Sequence, residues 1–168
     1  MKSINKTIIV ILFAAILFAS CKPDSIRDLG IERDLISSLN GTWKLTKATQ
    51  VDEDAAKKGF PYKQVDITNL FPYTDFEFTL NLNAGTPTTF TSKPGASPKL
   101  IKLTTGTWAA DNIKFPKSLY FTNGSATDTV SLGGYPVGAS STLLLKKEKK
   151  NFVTGKLLIS YSYEFSKQ

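Results

Sequence analysis

The chain has 168 residues, 41% of them hydrophobic and 11% aromatic, which suits one domain with a substantial core. Its net charge of +7 comes from 21 basic against 14 acidic residues, but the only arginines are Arg27 and Arg33, and bidentate phosphate or guanine recognition favours arginine, so a solvated lysine surface is expected and nucleic acid is not. With no histidine and one cysteine, histidine-based triads, the usual zinc sites and an intrachain disulfide are all excluded.

The chain starts MKSINKTIIVILFAAILFASCKPD, with Lys2 and Lys6 ahead of an apolar run over 8–19. Those 12 residues fall short of the roughly 20 needed by a membrane helix. Length and flanks fit a secretory signal over 1–20. The closing FASC resembles the lipobox of bacterial lipoproteins, with Phe18 where leucine is commoner. By that resemblance Cys21 is the first residue of the mature chain and its thiol carries a diacylglycerol. Lys22 follows it, not the aspartate of an inner-membrane retention signal, so an outer-membrane address in the bacterial cell envelope is favoured. Each buried methylene contributes about 0.8 kcal/mol, so two or three acyl chains would anchor a domain that does not itself span. Residues 21–30 read as the lipidated tether, and 31–168 as the domain.

Within that domain Ile31, Leu35, Ile36 and Leu39 recur at helical spacing before a stop at Asn40 and Gly41, which predicts one short amphipathic helix. The period then drops to two. In DFEFTLNL, Phe76, Phe78, Leu80 and Leu82 share a face opposite Glu77, Thr79 and Asn81; in GKLLISYSYEF, Leu157, Ile159, Tyr161, Tyr163 and Phe165 do the same. Further strands are expected over 42–49, 88–92, 100–109, 118–122, 127–132 and 141–147, making eight. Between the first two, VDEDAAKKGFP predicts a second short helix with Asp52 as N-cap, acids in its first turn, lysines in its last and Gly59 as its stop. The triplet of Asp52, Glu53 and Asp54 lacks the glycine and distal glutamate of a calcium loop, and neither a metal nor a cofactor is expected. Eight sequential strands with mostly short connections describe an antiparallel up-and-down meander, and closure into a barrel removes the exposed edges of an open sheet. A two-sheet sandwich is the other arrangement such strands allow.

The tripeptide GTW occurs at Gly41 and again at Gly106, but the flanking residues do not match, so there is no internal repeat. The first copy follows a short helix and opens the first strand. Together LNGTWKLTKATQVDEDAAKKGFP, DITNLFPYTDFEFTL, TGTWAAD and ISYSYEF resemble, in that order, the lipocalin-like domain of unknown function found in bacterial lipoproteins. The resemblance covers 35–165 and implies an all-β, eight-stranded lipocalin-like barrel with a short N-terminal helix. It gives Gly41 and Trp43 the lipocalin signature role at the closed barrel end, and makes Gly106 and Trp108 a strand entry, with Gly106 relieving crowding and Trp108 packed inward. Both tryptophans are expected to be core. Lipocalins often place an arginine near the last strand across the first tryptophan, and intracellular lipid-binding barrels use an arginine–tyrosine carboxylate clamp. Neither is expected here, because no arginine follows Arg33; only Lys156, Tyr161 or Tyr163 could approximate a clamp.

Catalysis is not expected. Asp75 and Glu77 form a carboxylate pair, but on the polar face of their strand. Two non-enzymatic readings remain. In one, the barrel binds a small hydrophobic or amphipathic ligand, with Phe76, Phe78, Phe90, Tyr161 and Tyr163 as candidate contacts. In the other, its own side chains fill it, and the domain is a protein interaction or accessory module of an outer-membrane assembly.

Overall fold

The computed structural model describes residues 33–136 and 141–168. The leader, Cys21, the tether and Ile31 lie outside the described residues. Helix α1 (Leu35–Leu39) is capped by Asp34, whose carboxylate accepts the Ser37 N–H at 2.9 Å, and it buries Ile36 and Leu39. Strand β1 (Gly41–Asp52) then runs the height of the domain. Asp52 ends it and caps helix α2 (Glu53–Lys57) by accepting from the Asp54 and Ala55 N–H groups, as the acidic triplet predicts.

The remaining strands are β2 (Gln64–Asp66), β3 (Glu77–Asn83), β4 (Thr86–Lys93), β5 (Thr105–Ala110), β6 (Ser118–Asn123), β7 (Ala126–Gly134), β8 (Thr142–Lys150) and β9 (Leu157–Lys167). All pairings are antiparallel and join consecutive strands, except that β1 pairs with β3 as well as β2, and also with β9 over Trp43↔Lys167 to Asp52↔Ile159. That seam closes the sheet into the eight-stranded up-and-down barrel expected of the sequence. The ninth strand, β2, does not add a stave. It pairs with the far half of β1, at Thr49 to Val51, while β3 pairs with the near half, at Gly41 to Lys44. Residues from Asp34 to Gln168 form one compact unit.

Four details depart from the sequence reading. Strand β2 has three residues, all exposed, and so carries no alternation to detect. The strand expected over 100–109 begins only at Thr105, because Leu100 and Ile101 are adjacent and both buried, which a two-residue period forbids; they fold inward as part of a loop. Asp75 does not share a strand face with Glu77 but lies in a 3-10 turn (Tyr73–Asp75), and Glu77 pairs with Lys93 at 3.3 Å. The register shift between Lys149 and Lys150 leaves Leu158 bulged, so Leu157 stands across from Lys150 instead of continuing the face of Ile159 to Phe165.

The two GTW segments both bury their tryptophans. Trp43 is fully buried; its indole N–H donates to the Leu39 carbonyl at 2.8 Å and so ties α1 to the closed end of the barrel. Trp108 is buried and donates to the Asn81 carbonyl at 2.9 Å. Gly106 has φ +148°, and a Cβ there would stand 2.1 Å from the Thr122 carbonyl oxygen, so strands β5 and β6 approach more closely than any side chain allows.

Candidate functional site

The barrel interior falls into two halves of different chemistry. Next to α1 it is filled. Phe78 meets Phe165 edge-on at 5.0 Å and Phe90 meets Phe121 at 4.8 Å, while Phe76 packs on Phe78 and Phe165 at 6.3 and 6.1 Å. Trp43, Leu80, Leu119 and Leu143 complete a region with almost no solvent contact. Three of the five candidate contacts, Phe76, Phe78 and Phe90, therefore lie in this packed half.

Toward the other end, where β1 finishes and the turns after β1, β4, β6 and β8 lie, the inward positions become polar. A bulge at Thr46 shifts the inward face of β1 from Trp43 and Leu45 to Ala48 and Gln50, which register with Tyr163 and Tyr161 on β9. Tyr161 and Tyr163 stack with ring centres 6.2 Å apart and planes 9° from parallel. Tyr73 enters from the 3-10 turn and its ring stands 6.1 Å from that of Tyr163. None of the three hydroxyls has a hydrogen-bond partner among the described residues. Burial, then the neighbouring phenols of Tyr73 and Tyr161, push the Tyr163 hydroxyl well above the usual tyrosine range. Burial and then Tyr161 raise Tyr73. Tyr73 and Tyr161 thus each place a ring beside that of Tyr163.

Two further polar groups are buried. Ser92, across from Phe78 in the β3–β4 register, is buried with its hydroxyl unpartnered. Asp128 is buried and accepts the Lys102 N–H at 2.8 Å, with the half-buried Lys147 ammonium 3.4 Å away. The Lys102 contact pins the loop between β4 and β5, with its buried Leu100 and Ile101, across to β7. Pairing of β7 with β8 stops at Ser131↔Lys146, and the strands part beyond it around a groove of about 330 Å³ lined by Lys102, Asp128, Lys146 and Lys147. A second groove, about 380 Å³, runs over the outer wall formed by β1, β8 and β9.

What this end offers is hydrogen bonding, not proton transfer. Phenol hydroxyls can donate to an oxygen-bearing group, while rings and aliphatic side chains cover an apolar body. Lys156 takes no part, since its ammonium pairs with Asp54 at 2.9 Å. The acidic triplet is likewise engaged: Asp52 caps α2, Glu53 accepts from the Ser160 hydroxyl at 2.6 Å, and Asp54 holds Lys58 at 2.7 Å as well as Lys156.

Sequence reasoning named Tyr161 and Tyr163 and missed Tyr73, whose 3-10 turn has no period; the only signal was its place in LFPYTDF, just ahead of a strand. It also missed a cation over Trp43. Lys167 at the end of β9 lies with its ammonium 5.5 Å from the centre of the Trp43 ring. Gly41 leaves room for it, as a Cβ there would come within 2.7 Å of the Lys167 Cε. No protein-family model matches the chain, and no curated protein matches it in sequence.

Proposed function

We propose that this protein is a lipid-anchored lipoprotein of the bacterial envelope, placed at the outer membrane through Cys21. In this reading its lipocalin-like barrel binds a small amphipathic molecule without catalysis, and nucleic acid plays no part. The observation that carries it is the cluster of Tyr73, Tyr161 and Tyr163, three close phenols without protein partners at the polar end of a closed barrel. The three hydroxyl oxygens are not sealed from solvent, so an oxygen-bearing group arriving from outside can take the place of water on them. The packed half restricts the seat to the tyrosine end, where Tyr161 and Tyr163 serve as contacts and Phe76, Phe78 and Phe90 as its floor. With the Lys147 charge held by Asp128, recognition rests on shape and hydrogen bonding more than on charge.

The test is titration of the unlipidated domain with a neutral fluorescent apolar probe and its carboxylate analogue, backed by native mass spectrometry for co-purified lipid. The two probes should bind about equally. Tyr73→Phe and Tyr161→Phe should each weaken an oxygen-bearing probe by about 2- to 10-fold, the worth of one hydrogen bond. Absence of saturable binding across a varied panel would favour the second reading, a protein interaction module, which the aromatic filling of the other half supports. The anchor is tested separately: Cys21→Ala should abolish acyl labelling.

A further inference from the structure

Two loops at the tyrosine end carry nearly the same short pattern. The turn after α2 reads KKGFPYK, with Lys57, Lys58, Phe60, Tyr62 and Lys63. The turn between β8 and β9 reads KKNFVTGK, with Lys149, Lys150, Phe152, Val153 and Lys156. The loops adjoin, since β1 and β9 pair up to Asp52↔Ile159, and Asp54 bridges them by holding Lys58 on one side and Lys156 on the other. Those two ammonium groups lower the Asp54 carboxyl to about 2, the Lys58 hydrogen bond being the largest cause.

Nothing in the fold requires apolar residues at these tips. Phe60 is 55% exposed, Tyr62 92%, Val153 88% and Phe152 102%. The second turn is also firmly built: the Asn151 carboxamide oxygen accepts from the Val153 and Thr154 N–H groups, both at 2.9 Å, and Gly155 N–H returns to the Asn151 carbonyl. Two apolar side chains are therefore held at an apex without intramolecular contact. Around them Lys57, Lys63 and Lys149 have no ion-pair partner among the described residues.

We infer that this end of the barrel docks on an anionic lipid surface, with Phe60, Tyr62, Phe152 and Val153 entering the headgroup region while the flanking lysines face the phosphates. Apolar and aromatic tips ringed by lysines match the layered chemistry of a bilayer surface, apolar below and anionic above. Among the described residues the opposite end offers less: one loop with Ile113 and Phe115 exposed beside Lys114 and Lys117. Docking would set the tyrosine cluster toward the membrane, but does not depend on that cluster holding a ligand.

The test uses the chain from Asp34 onward, which contains all nine strands in one compact unit and has no cysteine. Sedimentation with vesicles containing phosphatidylglycerol should capture it at least tenfold better than vesicles of phosphatidylcholine alone, and high salt should release it. Phe60→Ala with Phe152→Ala should lower capture about tenfold or more at unchanged Tm, and Lys149→Gln about fivefold. A fluorophore on Val153→Cys should shift to the blue on phosphatidylglycerol vesicles, and one on Ile113→Cys should not. Equal capture by both vesicle types, capture unaffected by the phenylalanine pair, a shift at Ile113 alone, or binding of these loops to a protein and to no vesicle would each overturn the inference.

Discussion

Replacing Gly106 with alanine is the most direct probe of how the barrel wall is closed. The new Cβ would stand 2.1 Å from the Thr122 carbonyl oxygen and 3.1 Å from the Phe90 Cε1, so it is caught between the β6 backbone and a buried ring. Relief requires β5 and β6 to part by about 1 Å at the Thr107↔Thr122 pair, since a non-bonded carbon needs more than about 3 Å from an oxygen. Overpacking of this kind costs roughly 1–3 kcal/mol, and φ +148° adds roughly 1–3 kcal/mol of backbone strain for any residue with a Cβ. The sum is about 4 kcal/mol, a large share of a typical stability of 5–15 kcal/mol. Gly85→Ala is the matched control, because Gly85 also has positive φ, +78°, but nothing lies within 4 Å of its would-be Cβ; its cost should be only about 1 kcal/mol. Urea unfolding followed by tryptophan fluorescence would report both, Trp108 being two residues away from the change. If the two variants differ by less than about 1 kcal/mol, the close approach of β5 to β6 is not a source of stability and the argument fails.

Trp43→Ala should destabilise by roughly 3–5 kcal/mol, since it empties a fully buried site and removes the indole bond to Leu39, while Lys167→Ala, which removes only the overlying cation, should cost roughly 0.5–1 kcal/mol; denaturant unfolding measures both, and a near-parental Trp43→Ala would place the ring outside the core. Alkaline titration followed by ultraviolet absorbance should show Tyr163 ionising only well above the usual tyrosine range. A raised folded-state pKa favours the protonated native form, so its contribution is complete below pH about 10 and is lost as pH rises toward the folded value. Tyr163→Phe should therefore flatten the loss of stability above pH about 10, and an unchanged alkaline limb would refute the assignment.

How much of this was open to a reader of the sequence depends on the range of the interaction concerned. Alternation of Phe76, Phe78 and Leu80, and of Tyr161, Tyr163 and Phe165, is a property of neighbouring residues, and it located the strands. Capping is equally local, which is why Asp52 and Gly59 marked the ends of α2. By contrast, Lys167 lies over Trp43 only because β9 returns beside β1 in one particular register, 124 positions further along the chain. Tyr73 joins Tyr163 only because β2 leaves β1 halfway and the chain turns inward before β3 begins. Neither fact has a periodic signature.

The two halves of the interior also differ in what stability alone would ask of them. Around α1 the buried donors are satisfied: the Trp43 and Trp108 indoles find carbonyls, and the surrounding aromatics pair edge to face. At the tyrosine end, phenylalanine in place of Tyr161 or Tyr163 would keep the ring packing and remove a hydroxyl that nothing in the protein bonds. Such a change should be neutral or slightly stabilising, within about 1 kcal/mol, because no intramolecular hydrogen bond is lost. Hydroxyls that reach solvent and make no internal bond add nothing to packing, and so mark a place shaped by something other than folding. The same reasoning separates the exposed Phe152 and Val153 from Phe78 and Phe165. The latter pair holds the barrel together, whereas the former can be removed without loss to the fold and so must be judged by what they meet outside it.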